Sequence, residues 1–149
     1  MNGGVTVAKG VTVDVSGLVV SQDAVLVNNG VVKTGNAPTV TGNIYATSGS
    51  TTTLPTGTYD NIIKEAGAKV TADGGDAGTA VSDDTVMTVK NFGTLETLCN
   101  AGTGKIALGN GITVPSDLRV KDTTILDLGI YTLTLANGVT FVNDGKIIS

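Results

Sequence analysis

Four aspartates, Asp73, Asp76, Asp83 and Asp84, form the densest acidic stretch of a 149-residue chain. Calcium takes several hard oxygen ligands, and the glycine-rich run Asp73-Gly74-Gly75-Asp76-Ala77-Gly78 has the freedom to curl and supply them. The spacing matches neither an EF-hand nor the tandem nonapeptide calcium repeat, so a flexible, solvated acidic loop is the default expectation. The only arginine, Arg119, is flanked by Asp117 and Asp122, with Asp127 one strand further on. Polysaccharide lyases and hydrolases work with such paired or cation-assisted carboxylates. Arg119 lies between Leu118 and Val120, however, which turns it outward and makes a solvated cluster the simpler expectation. Tyr45, Tyr59 and Tyr131 are the only tyrosines from which a glycan platform can be built. Cys99 follows Leu98 in an apolar stretch and reads as a small buried hydrophobe, with an intermolecular disulfide as its other use. Thr-x-Thr pairs begin at Thr39, Thr51, Thr56 and Thr132; intervals this uneven give no ladder of the kind that binds ice.

What the chain lacks narrows the chemistry further. There is no His, which excludes a Ser-His-Asp triad, a Cys-His dyad and His-ligated zinc. One Cys makes no internal disulfide. Nine basic residues, a net charge of −4 and 3% aromatics argue against nucleic acid. No run of residues is long and apolar enough to span a membrane. No Gly-rich segment leads into Lys-Ser/Thr as a phosphate loop does. No cofactor and no catalytic set is expected. Gly, Thr and Val are the dominant residue types, and Leu, Ile, Val and Phe together make more than a quarter of the chain, so it should fold, and fold as β. Abundant Thr, Gly and Asn with little Lys, Glu or Cys suits an extracellular location. The first ten positions have no basic start and no long apolar run, so an exported form is expected to have shed its leader.

The elements that carry these residues show themselves as a repeat. Segments anchored at 111, 118, 125, 132, 139 and 146 are evenly spaced, one every seven positions: Gly111-Ile112-Thr113-Val114, Leu118-Arg119-Val120, Ile125-Leu126-Asp127-Leu128, Thr132-Leu133-Thr134-Leu135, Val139-Thr140-Phe141-Val142 and Lys146-Ile147-Ile148. The residues between them, such as Ala136-Asn137-Gly138 and Asn143-Asp144-Gly145, are turn formers. Near the start, Gly4-Val5-Thr6-Val7, Gly10-Val11-Thr12-Val13, Gly17-Leu18-Val19-Val20, Ala24-Val25-Leu26-Val27 and Gly30-Val31-Val32 recur at almost the same spacing, less strictly kept. Period-two alternation within them is that of half-buried strands. A heptad of apolar residues also describes a coiled coil, but β-branched residues and corner glycines reject it. Residues 34–58, with Pro38, Pro55 and a Thr/Ser run, read as an irregular, loop-rich section or weak edge strands. A corner near Glu65–Ala68 should precede a strand at 68–72, and strands are expected again near 85–89, 94–98 and 105–108.

Short strands at this spacing fit an all-β, single-domain parallel β-helix (β-solenoid) over residues 1–149. Its sides would be of about seven residues, stacked in roughly seven coils at about 4.8 Å per coil. An antiparallel β-sandwich is the alternative, with Asn28-Asn29-Gly30 and Asn137-Gly138 as its hairpin turns. The phrases Gly57-Thr58-Tyr59-Asp60-Asn61-Ile62, Ala66-Gly67-Ala68-Lys69-Val70-Thr71 and Ile125-Leu126-Asp127-Leu128-Gly129-Ile130-Tyr131-Thr132-Leu133-Thr134 resemble right-handed β-helix surface proteins, the passenger domains of autotransporters and the filamentous adhesins. That resemblance implies a β-helix with an extracellular, mostly non-enzymatic role.

Strand-like sequence runs from Val5 to Ile148 with no capping helix expected at either end. Exposed strand edges recruit other strands. The expectation is a structural protein: a self-assembling fibre, fimbria or surface-layer subunit, or an adhesin shaft segment. Its contacts with copies of itself would be made by Val5, Val7, Phe141, Val142, Ile147 and Ile148. The alternatives are a glycan-binding or glycan-cleaving β-helix module, with surface glycan as partner, and a trimeric phage or adhesin fibre.

Overall fold

The computed structural model describes residues 3–59 and 61–149. It is mostly strand with one helix, and its parallel strands stack as a β-solenoid of about seven turns in all. The chain divides into two compact units, residues 1–83 and 84–149. The strand pairs are parallel with a single exception, so the sandwich alternative does not apply.

In residues 1–83 the chain visits three sheets in turn. The first coil is β1 (Gly4–Val7), β2 (Thr12–Asp14) and β3 (Val19–Val20); the second is β4 (Val25–Asn28), β5 (Val31–Lys33) and β6 (Thr39–Val40). Then follow β7 (Asn43–Ala46), β8 (Thr51–Leu54), β9 (Ile62–Lys64), β10 (Lys69–Ala72), β11 (Gly75–Asp76) and β12 (Thr79–Ala80). The sheets run β1-β4-β7-β9-β12, β11-β10-β8-β5-β2 and β3-β6. Register aligns like residues into columns. Val5, Leu26, Ile44 and Ile62 line one inner wall, and Val13, Val32, Thr52 and Val70 another. Burial of these columns is the main stabilising term. Thr52 is the polar member of the second column, and a buried asparagine beside it satisfies its hydroxyl. Asn28, with no solvent exposure, donates from Nδ2 to Thr51 O and to Thr52 Oγ1, each at 2.9 Å, and its Oδ1 accepts from Gly30 N at 2.9 Å. A buried amide persists only when satisfied in this way.

The section expected to be irregular, 34–58, is instead part of the sheet framework. β7 pairs on both sides, with β4 and β9, and β8 with β5 and β10. The sequence misleads because the inner positions there carry Ala46 and Thr52 beside Ile44 and Leu54, and Thr52 is buried because Asn28 satisfies its hydroxyl. Pro38 and Pro55 fall just outside β6 and β8, where a missing N–H costs no ladder bond. The acidic stretch is not a loose loop either. Asp73-Gly74, with φ of 50° and 79°, turns β10 back into antiparallel β11, closing that side of the unit with a tight hairpin.

Residues 84–149 build β13 (Val86–Val89), α1 (Phe92–Ala101), β14 (Lys105–Leu108), β15 (Ile112–Val114), β16 (Leu118–Val120), β17 (Ile125–Asp127), β18 (Leu133–Leu135), β19 (Phe141–Asn143) and β20 (Lys146–Ile148). The sheets are β13-β14-β17-β20, β15-β18 and β16-β19. The strand expected at 94–98 is the middle of α1. Asn91 caps the helix by accepting from Thr94 N at 2.9 Å, and Gly102, at φ 69°, ends it in the left-handed conformation. Thr94, Leu95, Leu98 and Cys99 form its buried face, a spacing that suits a helix and not a strand. In chain order α1 stands where the other two sides of a coil would follow β13. It packs on β13, β15 and β16, the last two being strands whose edges away from β18 and β19 have no strand partner. A capping helix thus exists, inside the chain.

The corners repeat one device three times. A tight turn closes with an i+3 N–H to i carbonyl bond: Val11 to Ala8 at 3.1 Å, Ala24 to Ser21 at 3.1 Å and Thr124 to Lys121 at 3.0 Å. The next coil passes over that turn through a shorter corner with a glycine, at Gly30, Gly42 and Gly145 respectively. A Cβ on any of the three would collide with two carbonyl oxygens of the turn beneath. Asn28-Asn29-Gly30 is therefore a solenoid corner and not a hairpin, and so is the turn at Asn137-Gly138.

Candidate functional site

The residues expected to make subunit contacts lie on the first coil of residues 1–83 and on the last coil of residues 84–149. Val5 and Val7 share β1 and both belong to inner columns. Val7 is buried against the core, while Val5 is 45% exposed. They line an apolar depression of about 380 Å3 together with Val11, Val13, Leu18 and Leu26. In residues 84–149, Phe141 stands over buried Leu118 and Ile147 over buried Leu126, so both continue inner columns. Val142 stands over Arg119 and Ile148 over Asp127, on the outer face. Sequence reasoning misses Leu133 and Leu135. They stack on buried Ile112 and Val114, and Leu135 is 44% exposed. The recurrence of like side chains one full coil apart, Leu133 after Ile112 and Leu135 after Val114, is the signal that finds them. Among the described residues, β1, β18, β19 and β20 each have a strand neighbour on one side only, beside these part-exposed apolar side chains.

The acidic residues do not come together as a metal centre. Asp73 occupies the β10–β11 turn. Asp76 bonds Lys64 Nζ at 2.7 Å, and that hydrogen bond and charge hold its carboxyl below the usual aspartate range. Asp83 and Asp84 fall on either side of the division between the units. Among the described residues no three His, Cys, Asp or Glu side chains are placed to hold one ion.

Arg119 points outward as expected, but its partner is Asp144 on the next coil, with Nε to Oδ2 at 2.6 Å. Its sequence neighbour Asp117 accepts from Thr140 N at 2.8 Å, and Asp127 faces Lys105 at 3.9 Å. A cleft of about 370 Å3 lies between Arg119, Lys121, Asp122 and Asp144. Within it Arg119 pairs with Asp144, while Lys121 Nζ donates to the backbone carbonyl of Asn100.

The tyrosines are dispersed. Tyr45 is buried and donates to Glu65 Oε2 at 2.8 Å; burial, with that acceptor, pushes its pKa up. Tyr59 donates to Pro55 O at 2.7 Å. Tyr131 is partly exposed in the other unit. Asp60, within the Gly57–Ile62 phrase, lies outside the described residues. The Thr51/Thr53 pair stacks between Val31/Lys33 and Lys69/Thr71, which gives mixed columns and no threonine ladder. Cys99 is buried in α1, where desolvation raises its thiol pKa to about 12 and keeps it protonated and unreactive.

No helix among the described residues is long and apolar enough to cross a membrane. Comparison with protein-family models, curated proteins and solved structures finds no match, so the geometry of the coils stands as the only guide to what the chain does.

Proposed function

We propose that this chain is an extracellular structural protein without catalytic activity. It would serve as a self-assembling fibre, fimbria or surface-layer subunit, or as a shaft segment of an adhesin. The observation that carries this reading is the state of the first coil of residues 1–83 and of the last coil of residues 84–149. Their inner columns end in part-exposed apolar side chains, Val5 at one and Leu135, Phe141 and Ile147 at the other. The closing elements, the β10–β11 hairpin and α1, are instead placed between them in sequence. A further β-coil docked on such a face extends the parallel ladder and covers the apolar floor. In a fibre that coil belongs to a second copy; head-to-tail contacts of this kind propagate when they do not close. In a shaft it belongs to neighbouring coils of a longer chain.

Negative-stain microscopy and sedimentation of the 149-residue protein test the reading. Filaments or oligomers that lengthen with concentration are expected. Ile147→Asp should abolish them while leaving the β circular-dichroism signal intact. A monodisperse monomer, or assembly indifferent to Ile147→Asp, would overturn self-association.

A further inference from the structure

Three Asn–Gly bonds lie among the described residues, at Asn29-Gly30, Asn110-Gly111 and Asn137-Gly138. Sequence alone makes them equivalent, because glycine offers no side chain to hinder the amide nitrogen that follows each asparagine. The structure separates them. We propose that Asn110 is a site of spontaneous covalent modification, in which its carboxamide is lost through a cyclic imide formed with Gly111.

The geometry at Asn110 favours ring closure. Its side-chain Oδ1 accepts from Gly111 N at 3.0 Å, which folds the carboxamide back onto the nitrogen that must attack it. Reacting groups held this close in one conformer react faster than freely rotating ones. Both residues are exposed, in the corner between β14 and β15, so hydroxide and water have access. At Asn29 both reacting groups are engaged elsewhere. Gly30 N donates to Asn28 Oδ1 at 2.9 Å, and Asn29 Oδ1 accepts from Thr47 Oγ1 at 2.7 Å. Gly30 also lies close over the carbonyls of the Ala8–Val11 turn. At Asn137 the turn is closed by Val139 N on Ala136 O at 3.2 Å, without the asparagine side chain.

The chemistry balances with water as the only co-reactant. Gly111 N gives its proton to solvent base and adds to Asn110 Cγ, forming the N–Cγ bond. The Cγ–NH2 bond then breaks, and the nitrogen leaves as ammonia after taking up a proton. Water opens the resulting five-membered imide at either carbonyl, giving aspartate or isoaspartate at position 110. Both products add one negative charge to this corner, beside Lys90, whose side chain lies across Gly109. Isoaspartate also lengthens the main chain by one carbon just before β15.

The test is a time course of the folded protein in mildly alkaline buffer, with peptide mapping by mass spectrometry to place the ammonia loss and isoaspartyl methyltransferase labelling to identify the product. Asn110 should convert first, on the order of tenfold ahead of Asn29. In urea the three rates should converge. Gly111→Ala, whose Cβ would meet Thr132 O at an ordinary 3.7 Å, should slow Asn110 and leave Asn137 unchanged. A folded protein in which Asn29 or Asn137 leads, or in which the ranking is the same in urea, would overturn the proposal.

Discussion

Residues 1–83 and 84–149 reach the same architecture with different tolerances. In the first unit one coil steps from Gly4 to Val25, while a later one covers only the shorter distance from Ile63 to Thr79. In the second the steps are longer on the whole, the shortest running from Val86 to Lys105 and the longest from Leu118 to Phe141. The first unit buries an amide network at Asn28, and its β10–β11 hairpin precedes the short strand β12. The second buries hydroxyls instead, Thr103 Oγ1 donating to Leu98 O and Thr124 Oγ1 to Thr103 O, beside a helix that fills the place of two strands. Coil length is therefore set at the corners, while the columns fix which residues must be apolar. The glycine-over-turn corner is common to both units and is the most constrained point in each.

That shared corner yields the largest expected effect. Gly30→Ala should destabilise the first unit by about 4 kcal/mol or more, because two backbone carbonyls occupy the space a Cβ needs. Gly145→Ala meets the same obstacle between β19 and β20, each held by a strand on one side only, so its urea midpoint should fall less. Equal midpoints would remove the distinction between coils held on both sides and coils held on one. Next comes the helix. Leu98→Ala empties a fully buried site and should cost about 2–5 kcal/mol. Hydrogen exchange should quicken in β15 and β16 and stay unchanged in the first unit; a uniform loss of protection would mean the units unfold as one. Asn28→Ala strips its side-chain hydrogen bonds from the first unit and should cost about 2–3 kcal/mol, read from the same urea melts. Asn91→Ala removes the helix cap and should cost about 1 kcal/mol.

Alkaline pH gives the subtlest separation. Cys99 and Tyr45 both have raised folded pKa values, so each favours its neutral form when folded. Their stabilising contributions are complete below the unfolded pKa and fade as pH rises above it. For Cys99 the loss begins near pH 8.5 and continues to its folded value of about 12; for Tyr45 it begins near pH 10. The second unit should therefore weaken first in base. Cys99→Ala should flatten that unit's pH profile and Tyr45→Phe the other's, as followed by hydrogen exchange against pH.

Much of this is legible in the sequence, for physical reasons. Period-two alternation and short spacing report the parallel coils because every strand must present apolar residues to one shared interior. The evenly spaced anchors do not all begin strands: Val139 and Thr140 fall in a corner, and β19 starts at Phe141. The corner absorbs the difference. α1 escapes a reading by alternation because Leu95, Leu98 and Cys99 sit in a short apolar stretch that alternation alone cannot assign; Asn91 and Gly102, on either side of it, are the caps that mark it. Strands β7 and β8 escape because an inward Thr52 is intelligible only once Asn28 is seen beside it. The inward placing of Val5, Phe141 and Ile147 follows from alternation, whereas the Arg119–Asp144 pair joins two coils and depends on how they stack.

The open glycine turns have a practical consequence. A Cβ at Gly10 or at Gly49 would meet nothing within 4 Å, and both turns occupy the same corner of the first unit, two coils apart. Peptides spliced into both would be held side by side at roughly 10 Å, twice the distance between neighbouring strands. The corner is a molecular ruler, graduated by the hydrogen-bonded ladder itself, on which short epitopes or ligands can be mounted at fixed intervals.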